Sequence, residues 1–126
     1  MTRSKVSTAS APAAIGPYSQ GVSYGGTLYC SGTIPLDPAS GEHVDDSVAA
    51  ETTRCLENLE AVCAAAGTEL AKAVRLTVYT TRLELFAEIN EAYAAFFTDE
   101  PPARVAIGVA ALPKGVGVEI DAVVAM

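Results

Sequence analysis

From Val116 to Val124 an aliphatic residue or alanine stands at every second position: Val116, Val118, Ile120, Ala122 and Val124. Gly117, Glu119, Asp121 and Val123 lie between them. Alternation of this kind marks a strand with one buried face and one face that is not. A chain that holds such a strand must build a sheet with a covered side, and other segments must supply the cover.

Two helical segments do so. From about Ser47 to Ala66, Val48, Thr52, Cys55, Leu56, Leu59, Val62, Cys63 and Ala66 recur in steps of three and four. Asp46 or Ser47 can cap the start, and Gly67 can take the left-handed position beyond the end. Glu51, Arg54, Glu57 and Glu60 fall on the other side, which is expected to face solvent. From about Glu84 to Phe97, Phe86, Ile89, Tyr93 and Phe96 form a second stripe, ended by Pro101-Pro102.

The remaining segments read as strands and turns. Val22 to Tyr24 and Thr27 to Ser31 flank Gly25-Gly26, a hairpin signal. Val74, Leu76 and Val78 alternate with Arg75, Thr77 and Tyr79 between Ala73 and Thr80. In Ala103 to Ala110, Arg104, Ala106 and Gly108 share a face opposite to Val105, Ile107 and Val109. Pro113-Lys114-Gly115 turns the chain into the last strand, and Thr8 to Pro17 and Pro35 to Glu42 read as irregular. With a short strand near Lys5 to Ser7 the order is β-β-β-α-β-α-β-β. This predicts an α/β (α+β) single domain over residues 1–126, a mixed sheet of about six strands with two helices on one face. The other face, expected to carry Ala106, Gly108, Gly117 and Val123, has no third helix to bury it. Another copy of the chain is the expected cover.

The 126 residues carry a formal charge of −7, with 8 basic residues scattered among 15 acidic ones. Phosphate backbones call for clustered Lys and Arg, so no nucleic-acid partner is expected. No leader-like or membrane-spanning stretch is read, and the expectation is a soluble, cytoplasmic protein with no membrane partner. Cys30, Cys55 and Cys63 are odd in number and read as reduced thiols, two of them packing as small apolar groups. His43, the one histidine, sits in a Gly/Glu loop and reads as surface. It leaves no basis for a metal site or a Ser-His-Asp set.

Two charges stand where charge is expensive. Arg104 and Glu119 lie inside strands among small and apolar neighbours, and pairing those strands around the turn near Leu112 would bring them together on the uncovered face. One reading is a plain ion pair. The other is chemical: a guanidinium grips a small carboxylate through two parallel hydrogen bonds, and a carboxylate beside it orients water or takes its proton. Ile15-Gly16-Pro17-Tyr18 is a stiff turn that presents Tyr18 either as a packed ring or as a pocket wall. Ser31-Gly32 follows a strand and can offer backbone amides. Asn90 lies near the second helix's apolar stripe.

Together these segments resemble the RidA (YjgF-type) family of enamine/imine deaminases. The likeness runs from Ala13–Gln20 through Ser31–Pro38, Glu57-Asn58-Leu59 and Ile89–Tyr93 to Pro102–Ile107 and Leu112–Ile120. The resemblance implies a chorismate-mutase-like fold, a homotrimer with sites between subunits, and hydrolysis of 2-aminoacrylate or 2-iminobutyrate to 2-keto acids and ammonia, with no metal or cofactor. It implies that Arg104 grips the substrate carboxylate, that Glu119 serves the attacking water, that Tyr18 lines the pocket, and that Ser31, Gly32 and Asn90 lie near the site. A 2-keto-acid-binding regulatory trimer without turnover would use the same arginine. Where many members carry Cys two residues after the arginine, this chain has Ala106, so no thiol is available there. The backbone at Ser31 or Ala106 is expected to receive the substrate nitrogen.

Overall fold

The computed structural model describes residues 1–126. Strands β1 (Ser4–Val6), β2 (Gly21–Tyr24) and β3 (Thr27–Thr33) precede helix α1 (Val48–Ala65). Strand β4 (Ala73–Thr80), helix α2 (Phe86–Ala94) and strands β5 (Ala103–Gly108) and β6 (Val118–Ala125) follow. The order is the one the sequence implies.

Local chemistry sets most boundaries. Gly25 (φ 60°) and Gly26 (φ 79°) make the two-residue turn of the β2–β3 hairpin. Of the two candidate caps for α1, Ser47 is the one used: its Oγ accepts the Ala50 N–H at 3.0 Å. The far end closes when the Thr68 N–H reaches the Cys63 carbonyl (3.0 Å) and the Gly67 N–H reaches that of Ala64 (3.1 Å). Helix α2 is shorter than its stripe. Leu83–Leu85 forms a tighter 3-10 turn before it. Beyond it the Phe96 and Phe97 N–H groups bond three residues back, to Tyr93 and Ala94.

The strands lie in the order β1-β2-β3-β6-β4-β5, and only the β4–β5 pair is parallel. Because β6 runs antiparallel to both β3 and β4, those two are parallel to each other, and α1 connects them across a gap one strand wide. The last strand of the chain fills that gap. Strands β5 and β6 are therefore not partners, contrary to the expectation that they pair around Leu112.

The core lies between the helices and the sheet face that carries Val118, Ile120, Ala122 and Val124, all at most 2% exposed. Leu28, Leu76 and Val78 join them from the sheet, and Leu56, Leu59 and Ile89 from the helices. All three cysteines are buried, not two. The alternation of β4 fails at Val74, 55% exposed, because an extra residue between Ala73 and Arg75 shifts the register against β6. Glu51 does not face solvent with Arg54, Glu57 and Glu60. It is 6% exposed and accepts the Gly117 N–H at 2.8 Å. His43 packs against it, with Nε2 2.7 Å from the same carboxylate, and is not the free surface residue expected.

The uncovered face exists, but with a different lining. Leu76 stands opposite Arg104 and Val78 opposite Ala106, so Arg104, Ala106 and Gly108 point to the helix side. Gly117 meets Glu51 of α1 and also belongs to that side. Of the expected residues only Val123 is on the open face. Tyr29, opposite Val123, lies there with Val105 and Ile107, and these are 50%, 46% and 45% exposed. A bare face of this kind still calls for a cover.

Asn58, fully buried on α1, ties the loop after β3 to the helix by donating to the Ile34 (3.3 Å) and Leu36 (3.1 Å) carbonyls. Asn58→Ala strips both bonds in a dry site, and the expected loss of stability is about 2–4 kcal/mol. Ser47→Ala, which removes one solvent-side cap, is expected to cost about 1 kcal/mol. Urea unfolding of the two variants checks the order; equal losses would show that Asn58 does not anchor the loop.

Candidate functional site

The acidic half of the site begins with a fault in the sheet. Cys30 stands opposite Ala122 but Thr33 opposite Ile120, so β3 carries one residue more than β6 across Ser31-Gly32. Such a bulge bends the strand and frees it from the ladder. Glu119, on the open side of β6, fills the space this creates: a Cβ on Gly32 would overlap its Oε2. Glycine at position 32 thus lets a carboxylate rest directly on the strand backbone. Burial, and next the Asp121 carboxylate, lift the Glu119 acid above its ordinary value.

A stapled segment walls the space. The Gln20 amide accepts the Thr8 N–H (2.7 Å) and donates to the carbonyls of Thr8 (3.1 Å), Ala11 (3.3 Å) and Pro12 (2.7 Å). Ser31 Oγ donates to the Ser19 carbonyl at 2.6 Å, and the Ser31 N–H to that of Gln20 at 3.0 Å. Between these ties the Tyr18 N–H bonds back to Gly16 at 2.8 Å, the stiff turn expected at Gly16-Pro17. The ring stands 47% exposed, and its hydroxyl accepts the Ile15 N–H at 3.3 Å. Tyr18, Ser31, Gly32 and Glu119 line a cleft of about 340 Å³ with Ile15, Ile34 and Pro113.

The basic half lies elsewhere on the same chain. Arg104 leaves β5 on the helix side and lies along α2, where Nη1 donates to Asn90 Oδ1 at 2.8 Å. Its guanidinium carbon is 4.8 Å from the Tyr93 ring centroid and 5.3 Å from that of Phe86. Asn90, Tyr93 and Arg104 line a second cleft of about 420 Å³ with Ala94, Phe97, Pro101 and Pro102. Ala106 sits on the exposed edge strand and lines neither cleft.

Arg104 and Glu119 therefore neither form an ion pair nor share a face. Arg104 is opposite Leu76 on the covered side, Glu119 is opposite Tyr79 on the open side, and β4 runs between their strands. The seven residues singled out from the sequence do not share one place, contrary to the expectation that Arg104 and Glu119 meet at one spot. Tyr18, Ser31, Gly32 and Glu119 gather at one place, and Asn90 and Arg104 at another. Ile15, Ile34 and Pro113 were not expected as lining residues, and Phe86 and Tyr93, expected only as part of an apolar stripe, face the arginine. The spacing of Phe86, Asn90 and Tyr93, at i, i+4 and i+7, was the available signal for one helical stripe facing the arginine.

Known proteins share both halves' scaffold. Residues 8–126 match the family model described as Endoribonuclease L-PSP. The Homo sapiens protein named 2-iminobutanoate/2-iminopropanoate deaminase is 45% identical over 123 residues, which cover 98% of this chain and 90% of that one. The RutC family protein y4sK of Sinorhizobium fredii is 47% identical over 121 residues, 96% of each chain. Among solved structures, the YjgF gene product of E. coli superposes with a TM-score of 0.93 at 42% identity, covering 97% of this chain and 98% of that one.

The contact between Gly32 and Glu119 yields a coupling that can be measured. Gly32→Ala is expected to cost about 1–3 kcal/mol in the wild-type background, because the carboxylate must be pushed aside. In a Glu119→Ala background the same change is expected to be close to neutral. Chemical denaturation of the four proteins closes the cycle; equal costs in both backgrounds would show that the glycine does not make room for Glu119.

Proposed function

The chain belongs to the Endoribonuclease L-PSP family, the YjgF/RidA group, and on that premise we propose that it hydrolyses reactive enamines and imines of small 2-keto acids, such as 2-aminoacrylate and 2-iminobutyrate. The observation that carries this reading is the division of the site. One surface offers an exposed guanidinium with a free edge, and another offers a half-buried carboxylate lifted above its ordinary pKa by burial and by Asp121; neither is complete alone. The named deaminases among the relatives supply the reaction class.

The complete site forms where two copies meet. The open face with Tyr29, Val105 and Ile107 packs against neighbouring copies in a homotrimer, and the Arg104 edge of one copy faces the Glu119 cleft of the next. Arg104 takes the substrate carboxylate through two parallel N–H groups, which fixes the direction in which C2 faces. The enamine first shifts a proton from nitrogen to carbon and becomes the imine, electrophilic at C2. Glu119 orients a water against C2 and takes its proton as the C–O bond forms. Glu119 returns that proton to the nitrogen, giving the neutral carbinolamine. The carbinolamine hydroxyl then passes its own proton by way of Glu119 to the amine as its C–O bond becomes C=O, the C–N bond breaks, and the 2-keto acid and ammonia leave. Water supplies the oxygen, and the steps use protein groups and water alone. Free imines already hydrolyse in water, so orientation together with one acid–base group, contributing roughly 10²–10⁴-fold, is sufficient.

A mixing experiment tests the shared site. Arg104→Ala and Glu119→Gln are each expected to be inactive on 2-iminobutyrate while still folded. Refolded together at equal amounts, they should recover about a quarter of wild-type activity, because about one site in four then pairs an intact arginine with an intact glutamate across a cyclic interface. Recovery of nothing would refute a site built from two copies.

The pH profile carries a second test. Turnover needs the ionised Glu119, so activity falls as pH drops through its raised pKa. Asp121 is one of the causes of that elevation. Asp121→Asn keeps an acceptor for the Tyr79 hydroxyl but removes the charge, and the acid limb of kcat against pH is expected to move to lower pH. An unmoved limb would assign it to another group.

A further inference from the structure

We propose that Phe86 and Tyr93 are positioning residues that hold the Arg104 guanidinium ready for a carboxylate, with Asn90 fixing its rotation; this deepens the reading above and rests on it for the substrate. An exposed arginine ordinarily samples many rotamers, and ordering it on binding weakens affinity. Here three side chains on one stripe of α2 restrain it. The guanidinium carbon lies within about 6 Å of both ring centroids, the range in which a cation is attracted to an aromatic face. Asn90, one turn beyond Phe86 and one before Tyr93, takes Nη1 at 2.8 Å, the guanidinium's one side-chain hydrogen bond. Nε and Nη2 remain for a ligand, and that edge of the fork matches the two oxygens of a carboxylate.

Tyr93 carries a feature that separates this role from a packing role. Its ring is buried, and its hydroxyl has no hydrogen-bond partner. Burial also pushes that phenol above its ordinary value, so the group stays neutral and contributes no charge beside the arginine. The ring face therefore carries the effect, and the hydroxyl does not.

The test measures 2-oxobutanoate binding by calorimetry alongside 2-iminobutyrate turnover, with circular dichroism to establish folding. Phe86→Leu and Tyr93→Leu are each expected to weaken 2-oxobutanoate binding by about tenfold and to raise KM by a similar factor, with kcat changed much less, because a preorganised grip acts alike on ground and transition states. Tyr93→Phe is expected to recover the affinity that Tyr93→Leu loses. Asn90→Ala is expected to weaken binding in the same sense. Unchanged binding in folded Phe86→Leu overturns the proposal, even where Tyr93→Leu fails to fold. So does Tyr93→Phe binding as weakly as Tyr93→Leu, or a loss confined to kcat. Should the wild type bind 2-oxobutanoate without turning over the imine, and the ring variants bind it more weakly, the clamp stands and the deaminase reading falls. A wild type that binds no 2-oxobutanoate overturns the clamp itself.

Discussion

The register of β6 between β3 and β4 decides on which side of the sheet every chemically important side chain emerges. Its even-numbered residues, Val118 to Val124, are sealed beneath the helices, and that burial leaves Glu119, Asp121 and Val123 no choice but the open face. A slip of one residue would drive two carboxylates into the core and bring four aliphatic or alanine side chains out of it. The same strand follows the other five in sequence and sits in the middle of the sheet, so the sheet is not complete until β6 is placed. Non-local pairing of this sort is slow to form. Once made, it holds β3 and β4, and hence α1 and α2, in one fixed relation.

Buried polar groups hold the entry to that strand. Glu51 takes the Gly117 N–H, and a Cβ at Gly117 would come within 2.6 Å of the Glu51 carboxylate, so no larger residue fits without movement. Thr80 Oγ1 donates to the Gly117 carbonyl at 2.7 Å from the other side. His43, bonded to Glu51, brings the loop after β3 to the same point. An unpaired buried carboxylate would be strongly destabilising, whereas this one is matched by a backbone N–H and an imidazole. The turn through Lys114, whose φ is 58°, is thus anchored just before the strand that carries Glu119.

The sequence made the elements legible because each of their signals is local: the period of β6, the glycine pair of the hairpin, the Ser47 cap and the Gly67 stop. Strand partnership is not local. Two strands joined by a short turn pair often enough that Arg104 and Glu119 looked like neighbours, yet α2 makes β5 a parallel partner of β4, and the gap between β3 and β4 claims β6 instead. Glu51 and Asn58 were hidden for a related reason. A helical wheel places them at the polar margin, and only the loops that return over α1, through Gly117 and Ile34–Leu36, give them buried partners. The candidate residues could be read as types; their division into two clefts could not, because it depends on the sheet order.

That division bears directly on how a reaction of this kind is controlled. If Arg104 and Glu119 met within one chain, their attraction would close the site into an ion pair, and a substrate carboxylate would have to displace Glu119 from the guanidinium. Kept on opposite sides of β4, each is held by its own neighbours: the arginine by Asn90 and two aromatic rings, the glutamate by the Gly32 backbone and a partly dry cleft. The separation leaves the guanidinium edge unfilled and leaves burial and the Asp121 carboxylate free to lift the glutamate above its ordinary pKa. In the proposed assembly the two halves meet only across a subunit boundary, so the apolar patch at Tyr29, Val105 and Ile107 that drives association also determines whether the chemistry exists at all.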